Sequence, residues 1–189
     1  MKISVIIPVY KVEQYIERCT RSLMEQTINE VEYIFVNDCT PDNSIDVLQR
    51  TLIDYPQRRS WVKIIHNGQN EGIAMSRLVG QKHATGDYVI HCDSDDWMEP
   101  DMLQTLYDTA VNHDSDIVYC DFYRSSSATG RQHISQHCTL DTLSQLKGIL
   151  TGAKQATMWN HLVKRSLYTS HQIMWPEANI LEDTMLLFQ

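Results

Sequence analysis

A chain of 189 residues, 42% of them hydrophobic and 21% charged, can bury a substantial core and is not composed like a disordered chain. The formal net charge of -8 excludes a nucleic-acid binder of the usual kind, which needs a basic face to displace counterions from phosphates. Five widely spaced cysteines, odd in number and without a CxxC pair, read as reduced thiols. The apolar stretch after Met1 is too short for a signal peptide, and no window has the length of a membrane span. A cytoplasmic protein is expected.

The first element is Ile3-Ser4-Val5-Ile6-Ile7, β-branched and almost wholly apolar like a strand buried on both faces, with Pro8 expected to end it. Apolar residues then recur at helical spacing from Val12 to Thr27. The unit repeats: strand Tyr33 to Val36, a turn rich in cap residues from Asn37 to Ser44, and an amphipathic helix from Ile45 to Tyr55. A third unit joins strand Trp61 to Ile65 with a helix from Ile73 to about Ala84. Thr85-Gly86-Asp87 turns into a fourth strand from Tyr88, followed by a helix from Asp101 to Asn112 and a strand from Asp116 to Cys120. Alternation of this kind predicts an open, mostly parallel α/β sheet with helices on both faces.

Beyond Asp121 the pattern weakens. Arg124 to Arg131 reads as an exposed loop or hairpin tip, helical spacing returns from Leu140 to Leu150, and Trp159 to Leu167 reads as a short strand running into a helix. Residues 1–120 are expected to form a ligand-binding half and 121–189 the other half of the same domain. Leu181 to Gln189 reads as a helix still running when the sequence stops, so the natural chain is expected to continue.

In an open α/β sheet, ligands bind at the carboxyl ends of the strands. Four polar clusters fall there: Pro8-Val9-Tyr10, Asn37-Asp38, Asn67 to Gly72, and Asp93-Ser94-Asp95-Asp96. The last follows a buried strand with three carboxylates in four residues, an arrangement that repels itself unless a cation lies among them. Oxygen ligands without a Cys/His cluster favour Mg²⁺ or Mn²⁺. No GxGxxG follows the first strand, and no P-loop, EF-hand or HExxH pattern is present.

These motifs in this order (Ser4 to Tyr10, Val36 to Ser44, Asn70-Glu71-Gly72 with Ser76-Arg77, Ala84 to Tyr88, and Asp93 to Trp97) resemble the family 2 glycosyltransferases, inverting enzymes of the GT-A fold that use nucleotide sugars. The resemblance implies a donor site in which Pro8, Val9 and Tyr10 hold the base and Asp38 accepts the imide N–H of uracil. Asn70 and Gly72 lie before a helix whose N-terminus favours phosphate, and Arg77 reaches the diphosphate or base. Asp93 and Ser94 line the ribose side, Asp95 holds Mn²⁺ or Mg²⁺, and Asp96 faces the sugar or the acceptor hydroxyl. Glu182-Asp183 matches the family's acidic pair, with Asp183 as general base and Glu182 on the acceptor side, where Trp159 offers a stacking face. The implied reaction moves a sugar, most simply from a UDP donor, to a hydroxyl of a glycan or lipid-linked saccharide in cell-surface polysaccharide synthesis. Peripheral contact with the inner membrane face would suit such an acceptor. A non-catalytic nucleotide-sugar-binding scaffold and a carboxylate hydrolase are the alternatives. In this sequence Asn37 stands where the family more often has Asp, Cys39 where it has Gly, and Leu78 where it has Asn.

Overall fold

The computed structural model describes residues 1–126, 130–136, 141–151, 155–170, 173, 175, 183 and 184, with only the backbone described at 142 and 145. Among these residues lie eight strands, β1 (Ile3–Val9), β2 (Val31–Asn37), β3 (Val62–His66), β4 (Tyr88–His91), β5 (Ile117–Tyr119), β6 (Phe122–Ser126), β7 (Gly130–Ile134) and β8 (His161–Lys164). Between them lie α1 (Ile16–Met24), α2 (Ser44–Thr51), α3 (Ile73–His83), α4 (Met102–Asn112), α5 (Thr142–Leu150) and α6 (Arg165–Ser170). Six strands form one sheet in the order β3-β2-β1-β4-β8-β5, while β6 and β7 make a separate antiparallel hairpin.

The continuous apolar runs of β1 and β2 are explained by burial on both faces. Ile3, Val5, Ile7 and Val9 pack towards α1, α2 and α4 through Leu23, Leu48 and Leu103. Ile6, Ile34, Val36 and Val89 form the opposite core with Val79 of α3 and Tyr168 of α6. The expected α/β architecture with helices on both faces is therefore present.

Several expectations are corrected in detail. Pro8 does not end its strand: β1 runs to Val9 and pairs along its length with β2. Backbone groups alternate in direction, and Cys92 donates to the Ile6 carbonyl from the β4 side while Asp38 donates to Val9 from the β2 side. Position 8 therefore faces β4, whose last pairing is Ile6 with His91. No ladder partner waits there for the missing N–H. The first helix begins at Ile16 and not Val12, because the Val12 and Glu13 amides are engaged by Ser44 Oγ at 3.1 Å and Asp42 Oδ2 at 3.1 Å. The short strand expected within Trp159 to Leu167 is present as β8, running into α6, but its place in the sheet was not foreseen: β8 enters antiparallel between β4 and β5.

At the amino end of the sheet a buried carboxylate fixes the start of β4. Glu32 accepts from Ser4 Oγ at 2.6 Å, Thr85 N at 2.6 Å, Thr85 Oγ1 at 2.8 Å and Lys63 Nζ at 2.7 Å. Burial raises its proton affinity, but these bonds more than reverse that, leaving its pKa at about 2. Gly86 completes the contact, since a Cβ there would meet the Ser4 nitrogen at 2.6 Å.

Candidate functional site

β1 to β4 run parallel, so their carboxyl ends open on one edge. That edge carries Tyr10, Asp38, Asn67 and Asp93 on successive loops. Pro8 and Val9 are buried in the strand, whereas Tyr10 is exposed, with the Lys11 ammonium 5.1 Å from its ring centre. In the turn after β2, Asn37 Oδ1 accepts from Thr40 N, three residues on, at 2.9 Å, which directs its Nδ2 to His66 Nδ1 at 3.0 Å. An Asp at 37 could make the turn but could not donate to the ring.

Asp38 is 3% exposed. Its carboxylate accepts from Asn67 Nδ2, Glu71 N and Gly72 N, each at 2.8 Å. It does not cap α2; Asp42 serves that turn by accepting from Ser44 N at 3.2 Å and Ser44 Oγ at 2.6 Å. An anion does sit at the start of α3, where a phosphate was expected beside Asn70 and Gly72, but it is the protein's own Asp38. Asn70 itself is exposed. Three of roughly four acceptor directions of the Asp38 carboxylate are thus engaged internally.

Arg77 of α3 is 1% exposed. It donates through Nη2 to Asp93 Oδ1 at 2.8 Å and through Nη1 to Asp183 Oδ1. Burial opposes its charge, yet Asp93 and Asp183 outweigh that and raise its pKa. Asp183 also accepts from Met158 N at 3.0 Å through its second oxygen. Of the residues singled out from sequence, Arg77, Asp93 and Asp183 are brought into direct contact. Glu182 lies outside the described residues.

Asp95 and Asp96 are exposed, while Ser94 is buried between them and Asp93. Although Asp96 is exposed as a whole residue, its carboxyl is partly buried, and that burial, followed by the charges of Asp95 and Asp93, pushes it up to about 6, with Arg18 opposing. Among the described residues no group of three His, Cys, Asp or Glu forms a ready-made metal cage. The donor set still fits Mg²⁺ or Mn²⁺, which are commonly held by one or two carboxylates together with substrate phosphates.

Asp93, Asp95 and Asp96 line a cleft of about 850 Å³ whose far wall is the β6–β7 hairpin. Trp159 lines it too, edge-on to Phe122 at 4.7 Å, so the cluster and the predicted stacking residue share one space. Sequence reasoning did not single out Arg18, whose guanidinium lies 3.8 Å over the Trp97 ring and donates to the Asp95 carbonyl at 3.1 Å. An Arg among Glu and Ser on an amphipathic helix gives no signal of this. Met158 is likewise recruited by a contact made across the fold, and Asn67, named from sequence only as part of its cluster, by its bond to Asp38.

The Glycosyl transferase family 2 model matches residues 4–181. An uncharacterized glycosyltransferase, EpsJ of Bacillus subtilis, is 32% identical over 182 residues, covering 93% of this chain and 51% of the relative. The cholesterol galactosyltransferase of Borreliella burgdorferi is 28% identical over 201 residues, with all of this chain and 54% of the relative covered. The chain thus spans about half the length of these curated relatives. Among solved structures, residues 1–349 of S. aureus TarS in complex with UDP superpose with a TM-score of 0.79 at 24% identity, over 98% of this chain and 54% of that one. The mannosyltransferase PcManGT of Pyrobaculum calidifontis, in complex with GDP-Man and Mn²⁺, gives 0.69 at 19%, over 97% and 50%. These likenesses identify the fold as the GT-A type. With a family model matched from end to end of the patterned region, the chain belongs to glycosyl transferase family 2.

Proposed function

We propose that this chain carries the donor site and catalytic base of an inverting transferase that moves a sugar from a UDP-linked donor to a hydroxyl of a glycan or lipid-linked saccharide. The observation that carries the reading is the convergence of Asp93, Asp95, Asp96 and the Arg77-held Asp183 at the carboxyl edge of the sheet, beside a cleft large enough for a second substrate. The UDP and UDP-GlcNAc complexes of TarS and the Mn²⁺ complex of PcManGT support a nucleotide-sugar donor and a divalent ion.

In this reading residues 1–120 supply the donor side and 121–189 the acceptor side. Pro8 and Val9 back the base, and Tyr10 stacks on it. Asp38 offers its remaining acceptor direction to the uracil imide, while Gly72 and Asn70 shape the adjoining loop. Asp93 and Ser94 line the ribose. Asp95 would hold Mn²⁺ or Mg²⁺, with Asp96 beside the transferred sugar. When bound, that ion neutralises charge growing on the departing diphosphate as a Lewis acid. Asp183 takes the acceptor proton as the new glycosidic C–O bond forms and the bond from the anomeric carbon to the diphosphate oxygen breaks. Trp159 and Glu182 border the acceptor.

Calorimetry with UDP tests the donor half. Binding should require Mn²⁺ or Mg²⁺ in the native chain and be lost in Asp95→Ala; equal affinity with and without the ion would remove Asp95 from this role. Turnover tests the base. Asp183→Asn should retain UDP affinity within about threefold while losing 10²–10⁴ in kcat, the range of general-base contributions.

A further inference from the structure

We infer that Arg77 is a positioning residue: its buried guanidinium clamps Asp183 to the donor-side carboxylate Asp93 and thereby holds the base itself in place. The inference rests on the reading of Asp183 given above, and it replaces a direct donor contact by Arg77. The guanidinium is a rigid fork with donors on separate nitrogens, and here two of them go to two different carboxylates. Asp93 follows β4 and Arg77 lies on α3, whereas Asp183 comes from 106 residues further along the chain than Arg77.

At 1% exposure Arg77 has almost no solvent-facing surface with which to meet a diphosphate. Turning towards a donor would abandon a carboxylate and leave buried charge without compensation, a strongly unfavourable change. Staying put satisfies both carboxylates and leaves Asp93 and Asp183 as the groups that adjoin substrate. The second oxygen of Asp183 extends the connection, because it accepts from the buried Met158 amide just before β8. Arg77, Asp183 and Met158 therefore form a continuous polar chain from α3 to the entry of the inserted strand.

The Met158 amide makes this testable without an acceptor. Hydrogen exchange of the chain labelled with ¹⁵N-methionine reads Met158 directly, with Met24 in α1 as the internal control. In Arg77→Leu the Met158 amide should exchange at least tenfold faster, as it should in Asp183→Ala, while Met24 stays within threefold of the native rate. Arg77→Lys, which keeps the charge but cannot span both carboxylates, should exchange Met158 at a rate between the native chain and Arg77→Leu, and lower turnover at saturating donor more than it lowers Mn²⁺-dependent UDP affinity. Native-like exchange at Met158 in Arg77→Leu would overturn the inference, as would a tenfold loss of UDP affinity in Arg77→Lys with turnover at saturation preserved. Should Arg77→Leu fail to fold, the lysine variant carries the same comparison. If Met158 responds as expected but Asp183→Asn turns over normally, the clamp stands and the assignment of the base falls.

Discussion

Cys39 holds a left-handed backbone, with φ at 55°, in the turn that follows β2. A Cβ in that region is opposed by the neighbouring carbonyl, at roughly 1–2 kcal/mol, while glycine adopts it freely and forfeits part of the gain through its more flexible unfolded chain. Cys39 is exposed, so no packing is lost on its removal. Cys39→Gly should therefore stabilise by about 0.5–1 kcal/mol, seen as a higher urea midpoint with an unchanged slope. The neighbouring Asp38 shows where residue roles stop being legible. Its place at the end of a strand could be read from the sequence, but its three internal donors come from residues 29 to 34 positions away. The same holds for Arg77: an Arg inside a helix gives no sign of which carboxylates it will meet. Asp95 and Asp96 could be read because their proximity is local, enforced by chain connectivity alone.

Between elements, the Glu32 network and the α3–β1 contact fix how the site-bearing strands sit. Glu32 has a folded pKa lowered from 4.5 to about 2, so its contribution is present above pH 4.5 and disappears as pH falls towards about 2. That shift corresponds to about 3 kcal/mol, reduced to about 2 because its partner Lys63 is half exposed. Glu32→Gln should lower unfolding free energy at pH 7 by about 2 kcal/mol, with the difference from native shrinking below pH 4.5 in denaturant titrations at stepped pH. Across the sheet, Gly80 lets α3 approach β1 closely, since an added Cβ would stand 2.4 Å from Ile6 Cγ2. Ile6 is fully buried and β-branched, so it cannot swing away. Gly80→Ala should cost about 1–3 kcal/mol despite its better helix propensity, and lower Tm accordingly. A glycine inside a helical pattern gives no sign in sequence of why it is there; the packed α3–β1 interface supplies the reason. Element types were readable because the strands are continuous apolar runs and the helices keep their period. Their ends were less so: Pro8 depends on which side its missing donor faces, and the first turn of α1 on bonds from the loop after β2.

On the scale of the whole molecule, the order β3-β2-β1-β4-β8-β5 makes the two sequence halves inseparable. The expected division near residue 120 falls beside β5, yet among the described residues β5 pairs only with β8. β8 is also the outer neighbour of β4, the strand that delivers Asp93, Asp95 and Asp96. Its Leu162 and Val163 serve opposite cores, so it is an interior strand on both faces. Alternating strands and helices could not disclose this, because an antiparallel insertion arrives without the helical crossover that a parallel strand needs. The consequence concerns stability of the donor half by itself. A chain ending at residue 120 would leave β5 without a ladder and expose the apolar edge of β4, a template for pairing with other chains. Such a truncation should self-associate on gel filtration and lose the cooperative thermal transition, whereas adding residues 121–170 back as a separate polypeptide should restore a cooperative melt. A monomeric, cooperatively folding 1–120 fragment would show that β8 is dispensable to the sheet. The acidic cluster would then be organised by β1 and β4 alone.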